Sequence, residues 1–319
     1  MKKVFACASA FVWCLLCCGA GSLGHARNFG DVVISGMKWS EGPVFKDGRI
    51  LYSEVPSNAI YEFKKGSPPS VFKRPAGCAY AKADANNCGS NGLAVDGQNR
   101  LLICDEGNRA VSRLDESNFT VEILCSNYRG RRFNSPNDVV VSADGGIFFT
   151  DPPYGLKGGF KSADRETGFN GVYLLRPGGE PELLDATLNA PNGIALSPDG
   201  GRLYVSQSGD LDPGWYVYDV SGGKLEGRRK FCSPSADELC MPGSPDGMCV
   251  APDGLIYASG PGGIWIFSAV LEPLGRIGFD FPVSNCCLAV FDGVEYLFTT
   301  GRGDAYLLET EKICRAVKR

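Results

Sequence analysis

A short pattern recurs six times along the chain: a polar residue, a few apolar ones, a tight turn and a second apolar run. It reads EGPVFKDGRILYSE from Glu41, NGLAVDGQNRLLICD from Asn91 and NDVVVSADGGIFFTD from Asn137. It returns as NGIALSPDGGRLYVSQ from Asn192, DGMCVAPDGLIYASG from Asp246 and NCCLAVFDGVEYLFTT from Asn285. An Asp-Gly turn begins at Asp47, Asp144, Asp199, Asp253 and Asp292, and residues 97–99 replace it in the second copy. Gly accepts the positive φ that tight turns need, so each copy is a predicted β-hairpin. Copies spaced 39 to 55 residues apart define a repeat architecture.

A third strand follows each hairpin, at AIYEF, VSRL, GVYLL, WYVYDV, GIWIF and AYLLE, and a shorter fourth run often completes the set, such as SVFK, VEIL and PELL. The expected fold is therefore all-β: a six-bladed β-propeller with four-stranded blades. The segment FGDVVISG at 29–36 has no partner in the first unit. It is predicted as the outermost strand of the sixth, closing the ring by pairing the N- and C-terminal strands. No segment after the N-terminal apolar run shows convincing 3.6-residue periodicity.

With 319 residues, 44% hydrophobic content and a net charge of −4, the chain can bury a large core but lacks the basic footprint of a nucleic-acid binder. The run RGRR at 129–132 reads as a solvated loop. Residues 1–26 read as a signal peptide, with Lys2 and Lys3 ahead of an apolar stretch and cleavage after Ala26. This leaves 27–319 as one propeller domain, exported to a periplasm or secreted, with no stable membrane span. Lipidation at Cys17 or Cys18, and retention as an anchor, are the alternatives. The single histidine, His25, falls in the leader, which excludes histidine-based triads and zinc–histidine sites from the mature chain. Cys78–Cys88 and Cys232–Cys240 flank short polar loops and are predicted disulfides. Cys104, Cys249, Cys286 and Cys287 read as small buried apolar residues. No CxxC pair follows the leader, which argues against a cysteine zinc site.

Pseudo-symmetry brings the six leading residues, Glu41, Asn91, Asn137, Asn192, Asp246 and Asn285, to one end of the central channel. Glu41, Asn137, Asn192 and Asp246 then offer two carboxylates and two amides, a hard oxygen set that suits Ca²⁺. Mg²⁺ or Mn²⁺ would substitute, and Zn²⁺ less readily, because no nitrogen or sulfur ligand is on offer. The competing reading is that these residues cap turns at strand starts.

The strings EGPVF, FNSPNDVVV, FTDPPYG, PNGIALSPDG, PDGMCVAPDG and GGIWIF resemble the gluconolactonase/regucalcin-like family of six-bladed propellers, over nearly all of residues 30–310. The resemblance implies one catalytic divalent cation, usually calcium, at the channel mouth and hydrolysis of a sugar lactone such as glucono-1,5-lactone. By motif it makes Glu41, Asn137, Asn192 and Asp246 metal ligands, with Asn137 as ligand or substrate contact. Asn91 shares their repeat position and is expected to bind substrate. Tyr154, aimed by Pro152-Pro153, either grips substrate hydroxyls or packs its loop. Asp246 is the expected general base, since no histidine is available. The loop 156–170 is long, charged and Gly-rich, a candidate lid. Two other readings stand beside this one. A related metal-dependent propeller would hydrolyse organophosphates or other esters, and a strictosidine-synthase-like propeller would only bind.

Overall fold

The computed structural model describes residues 20–78 and 89–318. Six sheets are arranged as the blades of a propeller, each an antiparallel meander that starts at the channel and ends at the rim. The innermost strands are Ser40–Lys46, Ser90–Val95, Val139–Val141, Pro191–Leu196, Met248–Val250 and Val283–Phe291. The Asp-Gly turns split by local chemistry. In blades one and six both turn residues have positive φ (51° and 73° at Asp47 and Gly48, 53° and 77° at Asp292 and Gly293), a geometry that matches strand twist. In blades three, four and five the Asp side chain instead accepts a backbone N–H two residues on, at Gly146, Gly201 and Leu255.

The ring closes as expected. Gly30–Met37 pairs antiparallel with Gly303–Glu309 as the outermost strand of blade six. One strand was not foreseen: Ser22–His25, within the span read as leader, runs parallel to Pro273–Gly278 and gives blade five a fifth strand. The C-terminal helix Thr310–Val317 was also missed. Its eight residues bury only Thr310 and Ile313, too few positions for a helical period to show.

Apolar side chains fill the gaps between blades. Trp215, Trp265 and Phe267 join blades four and five, and Tyr52, Phe63 and Phe298 join blades one and six. A second tie is polar and regular. Where the second strand of a blade nears the channel, a hydroxyl reaches towards the innermost strands. Ser53 Oγ donates to Asn91 O, Thr150 Oγ1 to Asn192 O, Ser206 Oγ to Asp246 O and Ser259 Oγ to Ser284 O, each at 2.7 Å. Blade two has Cys104 at this register instead.

The expected Cys232–Cys240 disulfide is absent. Cys232 ends a strand and is buried beside Trp215, whereas Cys240 sits on an exposed 3₁₀ turn as a free thiol, its Sγ 3.5 Å from Ala236 O. Cys78 is disulfide-bonded, and its expected partner Cys88 lies outside the described residues. Cys104, Cys286 and Cys287 are buried as expected, and Cys249 is half-buried with its Sγ 3.6 Å from Cys286 Sγ.

Candidate active site

The leading residue of each repeat is fixed by its neighbours on both sides. Glycine follows four of them, and each glycine allows two innermost strands to approach. A Cβ on Gly42 would lie 2.4 Å from Asn91 O, on Gly92 2.6 Å from Asn137 O, and on Gly193 2.2 Å from Asp246 O. On Gly247 it would fall 1.9 Å from the Asn285 side chain. The hydroxyl ties described above hold the carbonyls of Asn91, Asn192 and Asp246. Main chain is thus clamped on both sides, and the side chains project into the channel mouth with little freedom.

There they line a cavity of about 490 Å³ formed by Glu41, Asn91, Asn137, Asn192 and Asp246 together with Tyr154, Trp39, Glu106 and Ser208. Every residue singled out from the sequence for metal, base or substrate contact lies in this one cavity. Asn285 does not line it and is hydrogen-bonded to the buried Asp138. Glu41 is held by Trp39 Nε1 at 3.1 Å and Gly42 N at 3.3 Å. Asn192 Nδ2 donates to Ser208 Oγ at 2.8 Å, and the same amide also bonds Asp246. Tyr154 shares hydrogen bonds with Ser208 and Asn192 and meets Phe160 edge-on at 5.8 Å. The tyrosine therefore does both jobs weighed for it: it packs its loop and faces the cavity.

The site concentrates negative charge in a dry place. Burial raises the Asp246 carboxyl well above the usual range, and Glu41 and Asp138 raise it further. Glu41 is raised chiefly by burial, then by Asp138. Burial pushes Glu106 to about 7 and Asp138 to about 6. Asp246 Oδ1 is buried without a hydrogen-bond partner in the protein, and so is Glu106 Oε2. Among the described residues no three His, Cys, Asp or Glu side chains form a metal cluster. The donor set here is instead two carboxylates and two amides. An unpartnered Asp246 oxygen beside a second repelling carboxylate is the environment a hard cation relieves, so the residues fit a calcium-like ion.

Glu106 escaped the sequence reading. The signal was present in the repeat: Val55, Glu106 and Ser208 each follow the second strand of their blade and all three line the cavity. The loop 156–170, expected as a lid, contributes nothing to the lining. It is fastened by Arg109 Nη2 on Asp164 O at 3.0 Å and Arg132 N on the Glu166 carboxylate at 2.8 Å, and it meets the cavity only through Phe160 on Tyr154. The RGRR run forms the tip of a small hairpin, Asn127–Tyr128 with Arg131–Arg132, that anchors this loop. His25 does not line the cavity and faces Asp280 at 3.2 Å.

A propeller with this mouth defines a class of channel-sited proteins, and sequence comparison narrows it. Residues 39–301 match the family described as SMP-30/Gluconolactonase/LRE-like region, and the chain belongs to that family. It is 38% identical over 266 residues to a gluconolactonase of Zymomonas mobilis, covering 81% of this chain and 75% of that protein. A pentonolactonase of Haloferax volcanii is 28% identical over 172 residues, covering 52% of this chain and 53% of its own length. Among solved structures, a gluconolactonase from Xanthomonas campestris superposes with a TM-score of 0.75 at 31% identity, over 87% of this chain and 88% of its own. A calcium-binding regucalcin from Agrobacterium tumefaciens shares the fold at 18% identity and TM-score 0.69, over 91% and 95% of the two chains.

Proposed function

We propose that this protein hydrolyses a sugar lactone, such as glucono-1,5-lactone, at the channel mouth and that it does so with a bound calcium ion. The chain is a hydrolase of the lactonase type, as its gluconolactonase relatives support. The observation that carries the metal reading is the convergence of Glu41, Asn137, Asn192 and Asp246 around one cavity with Asp246 Oδ1 left unpartnered. Calcium bound there supplies Lewis acidity to a carbonyl oxygen.

The remaining work falls to the chain. Trp39 and Gly42 fix the Glu41 carboxylate, and Ser208 fixes the Asn192 amide, so the donors need no reorganisation when substrate arrives. Asp246 accepts the proton from water as its oxygen attacks the lactone carbonyl carbon. The carbonyl re-forms, the ring C–O bond breaks, and the ring oxygen takes that proton back from Asp246. One lactone and one water give one hydroxy acid. Tyr154, Asn91 and the second face of Asn137 contact substrate.

Glucono-1,5-lactone hydrolysis by the purified protein should vanish on exhaustive chelation and return with calcium. Full activity in metal-free protein would overturn the metal reading, and no lactone hydrolysis with calcium present would overturn the lactonase reading. Organophosphate and simple ester substrates in the same panel test the neighbouring activities.

Export is part of the same proposal, resting on the Lys2–Lys3 and apolar N-terminal sequence. Cleavage after Ala26 would remove the strand Ser22–His25, whereas cleavage ahead of Gly21 would leave it in blade five. N-terminal sequencing of the exported form separates the two.

A further inference from the structure

Glu106 is a buried carboxylate that the mechanism above does not use. It is 1% exposed, at the end of the second strand of blade two. Its Oε1 accepts from Asn91 Nδ2 at 3.0 Å and the Asn137 amide also lies against the carboxylate and favours its charged form, while Oε2 has no hydrogen-bond partner in the protein. The carboxylate is backed by the turn after Tyr154, where a Cβ on Gly155 would stand 2.9 Å from Glu106 Cβ and 3.3 Å from Cδ. Only glycine there leaves the side chain its place. An immobilised, dry carboxylate with one empty oxygen facing a cavity is costly to the fold and is offset only by a donor that arrives from the cavity.

The ring geometry says which donor. The cation donors Glu41, Asn137, Asn192 and Asp246 come from blades one, three, four and five. Blade two contributes none of them, and in a ring of six it stands opposite blade five, which carries Asp246. A cavity of about 490 Å³ is far larger than one ion requires and has room for a six-membered ring between the two walls. A lactone whose carbonyl faces the Asp246 side turns the far side of its ring, where a sugar carries hydroxyl groups, to blade two.

We propose that Glu106, with Asn91, is the specificity-determining residue that accepts a hydrogen bond from a ring hydroxyl and so selects hydroxylated lactones over bare ones. The inference rests on the lactonase reading. A site built to bond a hydroxyl discriminates strongly against an analogue that lacks it, because its own buried group then goes unpaired.

The test compares glucono-1,5-lactone with δ-valerolactone, the same ring without hydroxyls, in wild type, Glu106→Gln and Glu106→Met. The ratio of kcat/KM for the two substrates should fall by about 10² in both variants, mostly through KM for the sugar lactone. Calorimetry provides a readout free of turnover: glucono-1,5-lactam, which resists hydrolysis, should bind at least about tenfold more weakly to both variants. Calcium affinity measured without ligand should stay within about tenfold of wild type, since Glu106 is outside the donor set and reaches it only as a neighbour of Asn137. An equal loss on both lactones would overturn the proposal, as would a collapse of calcium affinity, which would make Glu106 a ligand. Wild-type protein that hydrolyses neither lactone refutes the lactonase reading itself, a result seen before any variant is made.

Discussion

At the scale of single residues the site is governed by buried carboxylates that repel one another. Asp246→Asn nearly preserves shape while removing one charge from the donor set, so calcium affinity should fall. If Asp246 also takes the proton, kcat should stay down by about 10² to 10⁴ at saturating calcium. Recovery of turnover with added calcium would reduce Asp246 to a ligand. Asn192→Asp should tighten calcium binding and lower kcat, because a further carboxylate weakens the ion as a Lewis acid. Calcium titration and saturation kinetics on the same samples read both effects.

The same carboxyls predict an uncommon pH dependence. Glu106 and Asp138 have folded-state values near 7 and 6 against 4.5 and 3.8 for the free groups. A raised acid favours the fold when protonated, so this stabilisation is complete below about 4 and is lost as pH rises through 6 and 7. Metal-free protein should therefore melt at a higher temperature at pH 5.5 than at pH 8. Saturating calcium, which binds the ionised set, should flatten or reverse that trend. Calorimetric melting at the two pH values with and without calcium decides it, and a metal-free melting point that rises with pH would contradict the assignment.

At the scale of the element, Asn-Gly does not do in this chain what it does in hairpins. In hairpins the dipeptide marks a turn. Here Asn91-Gly92 and Asn192-Gly193 begin innermost strands, and the glycine serves close approach between blades, as the 2.2 Å from a Gly193 Cβ to Asp246 O shows. Gly193→Ala should shift the Asp246 main chain and lower activity by more than tenfold, a loss tied to the few tenths of an ångström that positioning tolerates. Gly200→Ala, where nothing lies within 4 Å but φ is +71°, is the control that costs backbone strain alone. Equal activity loss in the two variants would show that strain, not inter-blade spacing, is responsible. The hydroxyl ties work at the same scale. Ser206→Ala frees the carbonyl of Asp246 and should cost about 1 to 3 kcal/mol, as for a buried acceptor left unmade.

At the scale of the whole molecule, closure makes six weak units one structure. Each blade buries its faces only against its neighbours, so the seam in blade six has to hold for the ring to be cooperative. A chain that begins at Lys38 lacks Gly30–Met37 and leaves Gly303–Glu309 as an open edge. It should aggregate on heating and lack the single sharp melting transition expected of the full chain. A sharp transition in the shortened chain would show that the seam is dispensable.

The six-fold repeat, the turn chemistry, the closure strand and five of the leading residues in the cavity were legible in the sequence, because they depend on spacing and local backbone preference. Repetition turns those local facts into position, since equal units in a ring must bring equal registers together. The tertiary structure decided the rest. The repeat places Glu106 after a second strand, as it does Val55 and Ser208, but the approach of blades two and three, with Gly155 behind it, is what makes it a buried wall of the site. The Cys232–Cys240 pair looked closable by sequence distance, yet one thiol turned to the core beside Trp215 and the other to solvent. Loop 156–170 looked free by composition and was fastened by Arg109 and Arg132 from the neighbouring blade and hairpin. Each of these outcomes depends on long-range side-chain contacts, which no window of local sequence contains.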